Sequence, residues 1–345
     1  MSKNYYIIPI FVPHLGCPHN CVFCNQNKIS GEEGVVDSSY VENTVEEYLQ
    51  TINKVDSTVE ISFFGGTFTA IPLWKQKELL EVAREYKDLG KIKYIRLSTR
   101  PDYIDEDILN HLKEYKVDII ELGVQSLDEE VLRKSARGHS EEDVERASKL
   151  IKEFGFTLGH QVMLGLPGDT FEKDIYTAKK SIDMKPDICR IYPALVIKDT
   201  PMEEMLKREE YKPYTLNEAV EVAKKIYSLY IENNVNVIRV GLQPTENINS
   251  GGDIIEGPFH PAFRELVEGS ILNEHIYDIL SKKNGEAVIR VNNRYISRLY
   301  ANKKQFFNEL RSKLNGINIK VVIDNNLPIG QINIDTNNDT EVISI

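Results

Sequence analysis

Cysteine is scarce in this chain, with four residues in 345. That excludes a disulfide framework and the small stapled folds of secreted domains, and it fits a reducing, cytoplasmic setting. Long apolar runs are missing too. No stretch approaches the roughly 18 apolar residues a membrane helix requires. The apolar opening Tyr5-Tyr-Ile-Ile-Pro-Ile-Phe-Val12 is broken by Pro9 and followed by Pro13, with no small-residue cleavage site after it. It reads as a first buried strand, not a signal peptide. Basic charge is in deficit. The 42 Lys and Arg face 53 Asp and Glu, for a net charge of −11. This argues against a broad basic surface for nucleic acid and leaves room only for a local patch. Repeats and low-complexity segments are absent. With 41% hydrophobic and 28% charged residues, the composition is that of a globular protein. The length suits one large α/β domain and a smaller one.

Three of the four cysteines fall in one run, Cys17-Pro-His-Asn-Cys21-Val-Phe-Cys24. Thiols spaced x3 and x2 can turn toward one point from a single loop. That suits a cuboidal iron–sulfur cluster, whose irons prefer soft thiolates. Three ligands on four irons leave one iron open to a small molecule. Phe23, just before the last cysteine, can shield the sulfurs from water. Two other readings stand beside this one. Structural zinc wants a fourth ligand, and His14 or His19 would have to supply it away from the usual finger spacing. A disulfide leaves one thiol over. The fourth cysteine, in Asp187-Ile-Cys-Arg-Ile191, reads as a small core residue.

Strand and helix alternate along the first two-thirds. Strands are expected at 5–12, 59–64, 94–98, 118–123, 157–164 and 187–192. Helices are expected at 38–54 (capped by Ser38 or Ser39), 73–89, 105–115, 128–135, 140–154 and 171–184. Six such units with apolar strands predict a parallel sheet covered by helices. Residues 196–214 read as a connection, 215–233 as a long helix, 235–240 as a further strand and 247–258 as a loop. A helix at 261–281 precedes a mixture of strand and helix that reads as a small α+β region. The expected division is 1–245 and 246–345.

Chemistry in such folds sits at the C-terminal ends of the strands. Gly65, Gly66 and Thr67 end the second strand. Taken alone they are a Gly-rich turn, and glycine lets backbone approach a ligand closely. Ser98, Gln125, Arg137 and Gln161 lie at or just after strands three, four and five. Each singly is an ordinary strand-end polar residue. Tyr192 ends the sixth strand and is the best placed substrate-side candidate, ahead of His139, His160, Lys198 and His260.

The CxxxCxxC run with its aromatic residue resembles the signature of radical SAM enzymes. The resemblance implies a partial (β/α)6 TIM-like barrel and a 4Fe–4S cluster on Cys17, Cys21 and Cys24. It also implies S-adenosylmethionine on the open iron, cleaved reductively to a 5′-deoxyadenosyl radical. The Gly65–Thr67 motif would receive the amino group of the methionine moiety. The Gln125 and Arg137 spacing resembles enzymes related to oxygen-independent coproporphyrinogen oxidase. There the matching Gln and Arg contact S-adenosylmethionine, the Arg through its carboxylate, a pairing suited to a guanidinium fork. Those enzymes carry acids where this chain has Ser98 and Gln161. Val162, Leu164 and Gly165 would flank the adenine.

A longer resemblance spans roughly residues 5–270. Ser98-Thr-Arg-Pro-Asp102, Glu121-Leu-Gly-Val-Gln-Ser126, Ile191-Tyr-Pro-Ala-Leu-Val-Ile197, Gly241-Leu-Gln-Pro-Thr245 and Gly257-Pro-Phe-His-Pro-Ala-Phe263 are similar to the Elongator catalytic-subunit family. That family modifies the wobble uridine of tRNA with a radical SAM domain and an acetyltransferase domain. Its first two cluster cysteines stand further apart than here. The residues after 270 lack the acetyl-CoA pyrophosphate loop pattern, so an Elongator-like protein without the acetyltransferase is expected. The implied partners are tRNA and a flavodoxin- or ferredoxin-type electron donor, with no membrane. A basic patch would then border the barrel mouth, drawn from Lys28, Arg100, Arg137, Arg190, Lys198 and Arg239. Two alternatives remain: radical oxidation of a porphyrinogen-type small molecule, and a non-catalytic metal-binding protein.

Overall fold

The computed structural model describes residues 5–12, 17, 19–25, 36–52, 57–242, 249, 251–314, 316–337 and 339–344. Of the residues singled out above, His14, Lys28 and 243–245 lie outside these. Seven strands form the main sheet: β1 (Tyr5–Val12), β2 (Thr58–Gly65), β3 (Tyr94–Thr99), β4 (Ile119–Gln125), β5 (Thr157–Leu164), β6 (Ile188–Pro193) and β8 (Asn236–Val240). All neighbours pair in parallel, in the order β1-β2-β3-β4-β5-β6-β8, and the sheet curls into a half-barrel. The expected partial barrel is thus present, with residues 236–240 as its seventh strand.

Strand alternation explains how the sheet is covered. Ile8, Ile10, Ile61, Phe63, Ile95, Leu97, Ile120 and Leu122 share one core with residues of the surrounding helices. These helices are α1 (Ser38–Thr51), α2 (Leu73–Asp88), α3 (Glu106–Glu114) and α5 (Glu141–Glu153). Their stripes supply Val41, Val45 and Leu49, then Leu79, Leu80 and Ala83, then Leu109 and Leu112, then Val144, Ala147 and Ile151. Each of the Val, Leu, Ile and Phe side chains among them contributes roughly 1.5–3 kcal/mol by leaving water. The cap of α1 is Asp37, not Ser38 or Ser39. Its carboxylate accepts from Tyr40 N at 2.8 Å, and its extended backbone sets the chain's entry into the helix.

Two stretches read as irregular carry structure. Residues 196–214 contain β7 (Val196–Ile197) and α7 (Pro201–Lys207). Pro201 starts α7 because the first helical position needs no N–H, and the Thr200 side chain caps it by accepting from Glu203 N. Within the expected loop, β9 (Ile254–Glu256) pairs antiparallel with β7. Helices α4 (Glu129–Lys134), α6 (Phe171–Asp183) and α8 (Leu216–Glu232) complete the first compact unit, Met1–Pro261.

The second unit is Ala262–Ile345. Helices α9 (Phe263–Leu280), α10 (Ile296–Leu299) and α11 (Gln305–Lys313) accompany strands β10 (Gly285–Val291), β11 (Ile317–Ile323), β12 (Gln331–Thr336) and β13 (Thr340–Ser344). The strands form a mixed sheet in the order β11-β10-β12-β13. Ile289, Ile332, Ile334, Leu272 and Leu310 centre its own core.

In the half-barrel, the residues that alternate with the helix-facing set line the inner face, and several are charged. Tyr5 of β1 donates to Glu60 of β2, and Arg96 of β3 donates to Glu60 at 3.0 Å and to Glu121 of β4. Arg190 of β6 donates from Nε and Nη2 to the Glu121 oxygens at 2.7 and 3.0 Å. Gln161 of β5 adds a bond to Glu121 at 2.7 Å. Gly159 is glycine because a Cβ there would meet Glu121 Cγ at 2.7 Å. Burial alone would raise the Glu121 pKa. The Arg190 and Arg96 guanidinium groups outweigh it and hold the carboxyl below its usual range. Removing one partner of a buried ion group leaves the others uncompensated. Glu121→Ala is therefore expected to cost about 3–5 kcal/mol in urea unfolding. A loss below about 1 kcal/mol would show that water replaces the carboxylate at Arg190 and Arg96.

Candidate active site

The cysteine loop is seated by backbone bonds on either side. Val22 N donates to Ser135 O, after α4, at 3.1 Å. Met202 N, in the first turn of α7, donates to Val22 O at 2.9 Å, and Asn25 Nδ2 donates to Lys198 O at 3.3 Å. Phe23 packs against Val131, Leu166 and Ala194 on one side and Val196, Met202 and Tyr211 on the other. It wedges the loop between the ends of β5 and β6. Cys21 is buried, and Cys17 and Cys24 are partly so.

Two of these thiols meet side-chain donors. Thr67 Oγ1 donates to Cys17 Sγ at 3.4 Å, and Arg137 Nη1 donates to Cys21 Sγ at 3.4 Å. Gly65 makes the turn before Thr67 possible. Its φ is +107°, and a Cβ would lie 2.4 Å from Val12 O. Gly66 N then donates to Val12 O at 3.2 Å.

Arg137 follows a left-handed Ala136, and its Nη2 donates to Gly123 O at 2.5 Å. A Cβ on Gly123 would meet that Nη2 at 2.7 Å and the Gln125 amide nitrogen at 3.1 Å. The guanidinium and the amide therefore close over the same glycine. Gln125 has φ of +65°, at a bulge where β4 leaves register with β5. Such strain is held by its surroundings and concentrates at functional sites. Arg137 Nε, Gln125 Oε1 and His139 Nδ1 are buried without hydrogen-bond partners. His139 is neutral, because burial, reinforced by Arg137 and Arg100, pushes it down to about 2.

The remaining candidates are spread between the two faces of the sheet. Ser98 and Gln161 face inward, and the Gln161 amide donates to Ser98 Oγ at 3.1 Å. Tyr192 lies next to Arg190 and helps hold it charged. Val162 and Leu164 are buried on the helix-facing alternation of β5. His160 does not reach the inner face. It is fully buried under the helices, 2.9 Å from Ser148 Oγ and 2.7 Å from Ser181 Oγ. Lys198 is exposed, and His260 is half-buried. Three of the four arginines named for the expected basic patch are spent on partners inside the protein. Arg100 is clamped by Asp102 through two bonds of 2.9 Å, while Arg190 and Arg137 are buried on the partners above. Sequence reasoning missed Glu60 and Arg96 altogether. The available signal was a charge flanked by apolar residues inside strands buried on both faces.

The turn after β5 is held by a carboxyl pair. Asp174 accepts from Gly165 N at 3.4 Å and from Tyr214 OH at 2.9 Å. Burial and the adjacent Asp169 push Asp174 well up, and burial pushes Asp169 up to about 6. The folded protein thus retains a proton at Asp169 that the unfolded chain loses near the ordinary Asp value of about 3.9. Stability is expected to fall as pH rises through this window, from about 4 to about 6. Asp169→Asn should flatten that part of the profile in urea titrations. An unchanged slope would place the proton elsewhere.

The donor set fits the iron–sulfur group implied by the spacing. Thiolates are its preferred ligands, and cluster sulfurs accept hydrogen bonds. Among the described residues, no group of three His, Cys, Asp or Glu is close enough to hold one metal ion. A cubane places each thiolate on a different iron and does not ask for that convergence. Residues 11–179 match the radical SAM superfamily, and residues 186–272 match the radical SAM C-terminal domain. The chain belongs to the radical SAM superfamily. That family implies a 4Fe–4S cluster and S-adenosylmethionine. The chain is 31% identical over 271 residues to the tRNA uridine(34) acetyltransferase of Methanocaldococcus infernus, covering 66% of this chain and 51% of that protein. An uncharacterized protein of Methanocaldococcus jannaschii is 31% identical over 229 residues, 64% of this chain and 70% of that one. Elongator complex protein 3 of Saccharomyces cerevisiae is 30% identical over 205 residues, 54% and 37% of the two chains. The solved Elp3 of Methanocaldococcus infernus with an N-terminal deletion superposes with a TM-score of 0.64 at 26% identity, covering 80% of this chain and 64% of that one. The chain spans about half the length of the tRNA uridine(34) acetyltransferases it matches. No helix among the described residues is long and apolar enough to cross a membrane.

Gly123→Ala tests the arrangement around Arg137. Its methyl must displace Nη2, at a cost near that of a charged hydrogen bond, about 1.5–3 kcal/mol. S-adenosylmethionine affinity, read by equilibrium dialysis, is expected to fall roughly 10- to 100-fold with the fold intact. Wild-type affinity would separate Arg137 from the ligand.

Proposed function

We propose that this chain holds a 4Fe–4S cluster on Cys17, Cys21 and Cys24, cleaves S-adenosylmethionine reductively, and directs the chemistry at RNA, with tRNA as substrate. The observation that carries the reading is the three-thiol loop packed beside a buried guanidinium and a strained glutamine, both with unspent polar atoms. When bound and reduced, the cluster supplies the electron that splits S-adenosylmethionine into methionine and a 5′-deoxyadenosyl radical. The protein's part is to bind and orient. The unspent Arg137 N–H suits a carboxylate, and the Gln125 carbonyl oxygen suits an ammonium. Both Gln161 amide hydrogens go to Ser98 and Glu121, so its carbonyl oxygen is left as an acceptor for a hydroxyl. Tyr192 stands on the same inner face as the substrate-side group. Phe23 and its apolar neighbours keep water from the loop.

The RNA part rests on the relatives, named for tRNA uridine(34) and for Elongator, and on the shared radical SAM region. The setting is cytoplasmic, in keeping with the scarcity of cysteine, and a flavodoxin- or ferredoxin-type protein supplies the electron. The inward commitment of Arg100, Arg137 and Arg190 favours a second reading, a small molecule of porphyrinogen type. It also withdraws three cations from a tRNA contact at the barrel mouth, which would make its salt dependence shallower.

The test is anaerobic. Reconstituted protein, dithionite and S-adenosylmethionine are incubated with and without bulk tRNA, and 5′-deoxyadenosine is measured. Cleavage lost in Cys21→Ala and stimulated severalfold by tRNA is the expected outcome. Cleavage indifferent to tRNA removes the RNA reading and leaves the small molecule. Full activity in Cys21→Ala removes the cluster assignment.

A further inference from the structure

We infer that Thr67 and Arg137 set the reduction potential of the cluster by hydrogen-bonding two of its three thiolates. The inference rests on the cluster assignment proposed above. Both side chains are buried, at 2% and 6% exposure, and each places a donor 3.4 Å from a different sulfur. Neither is free to swing away. Thr67 lies between the Gly65 turn and a helical turn begun by its own carbonyl, which accepts from Ala70 N at 3.0 Å. Arg137 is pinned by Nη2 on Gly123 O, in the space left by the missing Gly123 side chain.

A donor draws charge from a thiolate, and it does so more strongly in the reduced cluster, which carries one more negative charge. Both bonds therefore favour reduction and raise the potential. The Arg137 charge acts in the same direction, and burial strengthens it. One electron enters from the reductant; no bond breaks and no proton moves. The resemblance assigns Arg137 to the carboxylate of S-adenosylmethionine, and its Nε–H remains for that purpose. Through Nη1 it has a second, electronic task. Thr67 has the same task through a hydroxyl in what reads as a glycine turn.

The experiment is a spectroscopic redox titration of the reconstituted full chain without S-adenosylmethionine. Thr67→Val keeps the shape and loses the donor, and Arg137→Met loses donor and charge. Each is expected to lower the potential, so that at a fixed solution potential the ratio of reduced to oxidised cluster falls about tenfold, 59 mV for one electron. Thr67→Ser keeps the donor and should restore the wild-type value. Fully loaded variants with wild-type potentials overturn the inference. Where a variant fails to load iron, resonance Raman spectra of the wild-type protein decide instead. Terminal iron–sulfur stretches that shift between H2O and D2O support the bonds, and unshifted stretches overturn them. Loss of the cluster assignment reads differently: Cys17→Ala and Cys21→Ala would then bind as much iron as the wild type.

Discussion

One buried carboxylate ties the half-barrel together. Glu121 accepts from Arg96, Gln161 and Arg190, and Arg96 passes the connection to Glu60 and from there to Tyr5. The chain of polar contacts crosses β1 to β6. A helix-covered sheet needs apolar residues only on its outer face. An open curl must still fill its inner face, and here it does so with two acids and two arginines whose charges cancel. Continuum arguments make such groups poor sources of net stability, although removing one partner is costly. The belt links neighbouring strands from β1 to β6 across the inner face of the sheet.

Above the belt, the site is assembled from short-range consequences of single residues. Gly159 admits Glu121, Gly123 admits Arg137, and Gly65 admits the turn that carries Thr67. Each glycine is a vacancy that a neighbouring polar group uses. The polar groups are then over-determined. Gln161 spends both hydrogens below itself, and Arg137 spends two nitrogens sideways. What they leave unspent includes one buried N–H at Arg137 and one buried carbonyl oxygen at Gln125.

The repeating units, the three-thiol loop and the strand-end motifs were legible in the sequence, because period and spacing are local properties. Pairing is not local, and the misreadings follow from that. Arg100, Arg137 and Arg190 read as members of a basic patch at the barrel mouth, since nothing in the local pattern reveals Asp102, Gly123 O or Glu121 as their partners. His160 read as a candidate, although its parity in β5 assigns it to the helix side, where serines from α5 and α6 satisfy both ring nitrogens. Residues 196–214 read as a connection, yet Pro201 opens α7 within them. Asp37 displaced the serines as a cap because the choice depends on the backbone angle at which the chain arrives.

Val22 carries no chemistry, yet both of its backbone groups are engaged by segments far along the chain, Ser135 and Met202. Phe23 likewise waits for Leu166, Ala194 and Tyr211. The thiols therefore precede by more than a hundred residues several of the groups that seat them. During synthesis the loop precedes Met202 and Tyr211, so those contacts form only after nearly two hundred further residues have followed. A cluster held as proposed would in this way load late, after the barrel that seats these thiols has formed.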